Sequence, residues 1–110
     1  MSGSFDTFYS ASVTGTKAQV SAVPCAIGAY HLLNNAAAIT YLQVFYKLAA
    51  DVTVGTTVPD VVIPLPVSGG ATLNFEGKGW LTRGPLTLAA TTTRTGSSTA
   101  TVDVTLWKAR

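Results

Sequence analysis

The sequence predicts an all-β chain folded as two packed antiparallel sheets of about eight short strands, and three observations predict it. Thr, Val and Ala dominate the composition, and β-branched side chains lose rotamer freedom in a helix while packing well on a pleated surface. Apolar stretches are short and broken at close intervals by Gly, Pro, Asn and Ser, the punctuation of a sandwich or barrel rather than of a helical bundle. The joins between them are too short for crossover helices, so neighbouring strands must pair antiparallel.

A chain of 110 residues is the size of one domain and buries enough surface to fold without staples. Hydrophobic residues make up 47% of it and charged residues only 11%, a balance that points to surface covered by something other than water. Seven Lys/Arg against five Asp/Glu, spread without runs, form no basic stripe, so no nucleic-acid partner is expected. The lone Cys25 allows no intrachain disulfide or thiolate metal site and reads as a small buried apolar residue. Residues 1–6 have neither a basic region nor an apolar run, and the greasy segments 22–30 and 61–67 are interrupted by Gly or Pro. Neither a secretory signal nor a membrane span is therefore expected.

Residues 1–14 mix Ser, Gly and Thr with Phe5, Phe8 and Tyr9 and read as an N-terminal arm whose aromatics need a partner surface. Residues 15–110 read as a single sandwich domain. Strands are expected over 17–23 and 25–33, then a turn at Asn34-Asn35, because Asn tolerates the left-handed conformation. The strand over 39–48 places Leu42, Val44, Tyr46 and Leu48 on one face and Ile39, Tyr41, Gln43, Phe45 and Lys47 on the other. Both faces carry apolar bulk, which predicts cover on both sides; the alternative to this strand is a helix beginning at Ala36, which the alanines favour.

Residues 51–59 read as a connection. The strand over 61–66 holds Pro64 and Pro66, and missing N–H groups confine it to a sheet edge. Ser68-Gly69-Gly70 is a turn signal, followed by strands over 72–76, 80–83 and 86–91 and a polar loop over 92–98. The last strand alternates cleanly, with Ala100, Val102, Val104 and Leu106 facing one way and Thr99, Thr101, Asp103, Thr105 and Trp107 the other.

Chemistry is sparse. His31 is the only histidine, no G-x-S-x-G turn accompanies it, and a partly buried strand or interface role is favoured over that of a catalytic base. Asp6, Asp51, Asp60, Glu76 and Asp103 are isolated in sequence and read as turn formers and solubilising groups, with no Asp-rich calcium loop. Gly77-Lys78-Gly79 lacks the remainder of a phosphate-binding loop. No catalytic residue, metal ligand or cofactor is expected. Trp80 and Trp107 suit a core or protein interface better than a stacking platform.

Five blocks carry a resemblance: Ala29-Tyr30-His31-Leu32-Leu33-Asn34-Asn35; Tyr41-Leu42-Gln43-Val44-Phe45; residues 47–60; Val62-Ile63-Pro64-Leu65-Pro66; and Gly84-Pro85-Leu86. From Val20 onward, about four-fifths of the chain, their order resembles a family of small virion proteins of tailed bacteriophages. The resemblance implies a jelly-roll sandwich and a structural role, with a size that suits a capsid decoration, or cement, protein. It implies a place on the capsid surface of the virion after synthesis in the host cytoplasm, with the phage major capsid protein as partner. A homotrimer that bridges capsid subunits through its arm and sheet faces is the expected assembly, with Phe5, Phe8, Tyr9 and Trp80 as contact residues. The rival expectation is a receptor- or carbohydrate-binding tip of a tail or head fibre, with Trp80, Trp107 and Tyr41 as stacking platforms.

Overall fold

The computed structural model describes residues 6–74 and 79–109. Among the described residues, nine strands form two antiparallel sheets: β1 (Asp6–Val13), β2 (Ala18–Ser21), β3 (Ala26–Leu33), β4 (Thr40–Phe45), β5 (Val61–Leu65), β6 (Gly70–Asn74), β7 (Trp80–Leu81), β8 (Leu86–Thr91) and β9 (Val102–Ala109). One sheet runs β1-β9-β3-β6, with β7 also paired to β3, and the other runs β2-β8-β4-β5. The pairs nest around one hairpin. β4 pairs with β5, β3 with β6 and β7, β2 with β8 and β1 with β9. A chain doubled back on itself and rolled into two facing sheets is a jelly roll.

The core between the sheets follows from the period-2 alternation. Ile27 and Leu32 from β3 and Val102, Val104 and Leu106 from β9 meet Leu42 and Val44 from β4 and Leu86, Leu88 and Ala90 from β8, all buried. The alternation expected of the last strand holds: Val102, Val104 and Leu106 are buried, and Thr101, Asp103, Thr105 and Trp107 are not. Pro64 and Pro66 have the predicted consequence, since β5 is an edge strand. Cys25 is buried, as expected.

The arm expected over 1–14 needs correction in its described part. Asp6–Val13 is the strand β1, paired in register with β9 from Asp6 opposite Lys108 to Ser10 opposite Val104. The free edge of β9 supplies the partner for this strand, and Phe8 turns inward to pack against the core while Tyr9 stays exposed. Phe5 lies outside the described residues, as do Phe75 and Glu76 of the strand expected over 72–76. The helix alternative beginning at Ala36 is not taken up, because residues 36–38 bend around Asn34. Asn34, fully buried, donates through Nδ2 to the carbonyls of Ala38 (3.0 Å) and Pro66 (2.9 Å). Its Oδ1 accepts from Ala36 N (3.0 Å) and Thr40 Oγ1 (3.1 Å), so one amide ties together two connections at one end of the roll.

β4 and β8 are buried on both faces, as the sequence predicts for β4. Their outward side chains Phe45 and Ala89 pack beneath Val52 and Val54 of the 46–60 connection. Several bonds hold that connection down: Lys17 Nζ donates to the Val52 carbonyl, Ala49 N to Gln19 Oε1 at 2.8 Å, and Thr87 Oγ1 to the Lys47 carbonyl at 2.8 Å. The 92–99 loop covers Gln43 and reaches Tyr41. Gln43 Nε2 donates to Thr91 Oγ1 (2.8 Å) and to the Gly96 carbonyl (3.0 Å). The two loops meet where Gly55, at φ +93°, lies against Ser97; a Cβ on Gly55 would stand 2.8 Å from that of Ser97.

Candidate functional site

The outward face of the β1-β9-β3-β6 sheet has no such cover among the described residues, and the strand registers place its side chains in rows. Thr7, Trp107 and Ala29 form one row; Tyr9, Thr105, His31 and Thr72 form the next; Asp103 and Leu33 begin a third. Asp103 is the one charged side chain among these positions. Tyr9 is 60% exposed and Trp107 38%. Trp107 stays open because its cross-strand neighbours, Thr7 and Ala29, are too small to cover an indole. His31 is exposed, and its Nδ1 shares a 2.6 Å hydrogen bond with Thr72 Oγ1, a bond that fixes the ring along the row.

This arrangement is flat, preformed and nearly uncharged. It suits contact with another protein surface, where exposed aromatics are the groups that yield most on burial. The expected contact residues do not form one site. Tyr9 belongs to this face, whereas Phe8, its neighbour in β1, is half-buried and points the opposite way, against the core. Trp80 lies across the sheet, on β7, with β9 and β3 between it and β1.

Trp80 is half-buried. Its Nε1 donates to the Tyr46 hydroxyl at 2.8 Å, and its ring meets that of Tyr30 edge-on, with centroids 6.4 Å apart. With Tyr30, Val61 and Ile63 it lines an apolar cleft of about 240 Å³ between the β7 and β5 margins. Burial there pushes the Tyr30 phenol above its ordinary pKa, because ionising it would place charge against apolar walls. Tyr41 is not an open platform either: the Arg94 guanidinium sits 5.8 Å from its ring centre.

The chain matches no family model, no curated protein and no solved structure. Its possible chemistry must be read from the residues themselves. Among the described residues, no group of three or more His, Cys, Asp or Glu side chains is placed to hold a metal ion, and no helix is long and apolar enough to cross a membrane.

Sequence reasoning placed Trp107 on the threonine face of its strand and favoured a core or protein-interface role over a stacking platform, but did not name it among the contact residues. The signal that leaves it exposed was present. A tryptophan at an outward position of a cleanly alternating strand has no core to enter.

Proposed function

We propose that this chain is a non-enzymatic structural protein of a tailed-bacteriophage virion. In this reading it is a capsid decoration, or cement, protein that packs with copies of itself as a homotrimer and bridges subunits of the major capsid protein on the outside of the head. One observation carries the reading: the central strands β4 and β8 of one sheet are covered on both faces, in part by the chain's own loops, while the other sheet leaves Tyr9, Trp107, Thr7 and Thr72 exposed with almost no charge among them. A face of this kind gains by burial against a neighbour and repels few of them. A rigid roll presents it without an ordering cost, and symmetry repeats each modest contact around a shell.

Cryo-electron microscopy of the particle tests the reading. A jelly roll of this size on the capsid lattice is the expected result, and absence of the protein from the head lattice overturns it.

Trp107 alone favours a second reading, a receptor- or carbohydrate-binding tip of a tail or head fibre, because an exposed indole offers a flat apolar platform to a sugar ring. Sharp binding on a glycan array that is lost in a folded Trp107→Ala variant would replace the decoration role with this one.

A further inference from the structure

Among the described residues, four strand edges bound the two sheets, and three of them are short, divided or carry proline. β5 carries Pro64, which has no N–H for a neighbour, with Pro66 just beyond its end. β2 is only four residues long, a short edge that offers few pairing groups. On the far side of β3 the edge is divided between β6 and the two-residue β7.

β1 has none of these guards. It is eight residues long and contains no Pro, Lys or Arg. It runs in unbroken register with β9 from Asp6 to Ser10, and among the described residues no strand lies on its other side. Alternate N–H and C=O groups of such a strand point away from the sheet and require partners. The chemistry that satisfies them as a set is another extended backbone.

We propose that β1 is an assembly edge, on which a second copy of this chain lays its own β1 antiparallel, about a two-fold axis at Phe8. In that pairing Phe8 meets Phe8, Thr7 meets the second copy's Tyr9, and Asp6 meets the second copy's Ser10. The segment fits this role because its regular register, from Asp6 to Ser10, is symmetric about Phe8, and a two-fold contact must be self-complementary. The bulge after Ser10 sets the far limit.

Two observations select a second copy over a foreign strand. The one charge in the paired segment, Asp6, falls at its end opposite the second copy's Ser10, and none falls between Thr7 and Val13, so no like charges stand directly opposite one another. Tyr9, 60% exposed on the outward face, gains a cross-strand neighbour there, the unit of sheet stabilisation. The inference rests on the self-assembly reading and adds a geometry to it: a two-fold edge contact joins one trimer to the next and extends the open face across both.

The test is disulfide trapping in the full chain. Native Cys25 is buried and leaves the background low. Thr7→Cys and Tyr9→Cys change outward, exposed positions, and circular dichroism verifies that both variants fold. Under mild oxidation, a mixture of the two is expected to give a covalent pair on a non-reducing gel, and a mixture of Tyr9→Cys with Val58→Cys, exposed but far from β1 in sequence, is expected to give much less. Tyr9→Lys, which restores an edge guard, is expected to weaken the pair about tenfold, since a two-fold counts each substitution twice.

Absence of the cross-link in the folded mixture, or a Tyr9→Lys protein that associates as the parent does, overturns the inference. A trimer that persists without the cross-link would sink edge pairing alone. Absence from the head lattice would sink the decoration role and leave the cross-link standing.

Discussion

The two sheets of the roll share one core and differ in what lies behind them. Behind β2-β8-β4-β5, the 46–60 connection and the 92–99 loop close over Phe45, Ala89 and Gln43, so every residue of β8 is buried. Behind β1-β9-β3-β6 stand threonines, an exposed histidine, Tyr9 and Trp107. The same alternating strand thus has two fates. Where the outward residues are apolar, the chain spends its own loops to cover them; where they are threonines and isolated aromatics, they remain available. The centre of the first sheet is interior to the domain, and the second sheet offers an exterior on which a neighbour can sit.

The sharpest way to break this contrast is to remove a side chain that only the covered sheet needs. Phe45→Ala empties a fully buried site beneath Val52, and a loss of about 3–5 kcal/mol is expected in denaturant unfolding. A loss under 1 kcal/mol would mean that the 46–60 connection does not cover the sheet. Asn34→Ala removes the amide that joins two connections and orphans buried backbone groups, with an expected loss of about 2–3 kcal/mol in the same measurement. Gly55→Ala acts where the two covering loops meet. Positive φ and the 2.8 Å approach to Ser97 make a cost of about 1–2 kcal/mol the expected outcome.

On the open sheet the expectation reverses. Trp107→Ala should change unfolding stability by less than about 1 kcal/mol while reducing self-association measured by light scattering. The smallest effect concerns pH. The Tyr30 phenol is held above its ordinary value by burial, so the folded state keeps a proton that the unfolded chain releases near 10. That contribution is complete below pH 10 and is lost as pH climbs through the raised folded value. The alkaline decline in melting temperature should be shallower in Tyr30→Phe.

Much of the fold was legible because period-2 patterning is a local signal. Residues 102–107 reveal both faces of β9, and the apolar bulk on both faces of β4 announces a strand covered twice. Pro64 placed β5 at an edge without any structure. What was not legible depended on distant chain. Residues 46–60 and 92–99 have no periodicity that says which strand they will cover, and Ser, Gly and Thr around Phe8 and Tyr9 hid a strand that forms only because β9 offers an edge. The candidate site was partly legible. Adjacent aromatics in a strand must point opposite ways, so Phe8 and Tyr9 could not both be surface contacts once β1 was known to be a strand. Trp80 sits in a two-residue strand too short to show a period, and its partners Tyr46 and Tyr30 come from elsewhere in the sequence.

Sedimentation equilibrium of the purified chain, alongside its Trp107→Ala and Tyr9→Lys variants, tests most directly whether the bare sheet exists to be covered by copies of the protein. The account predicts a discrete oligomer for the parent chain and a shift toward monomer in the variants without loss of folding. A parent chain that sediments as a single monomer up to high concentration would contradict it.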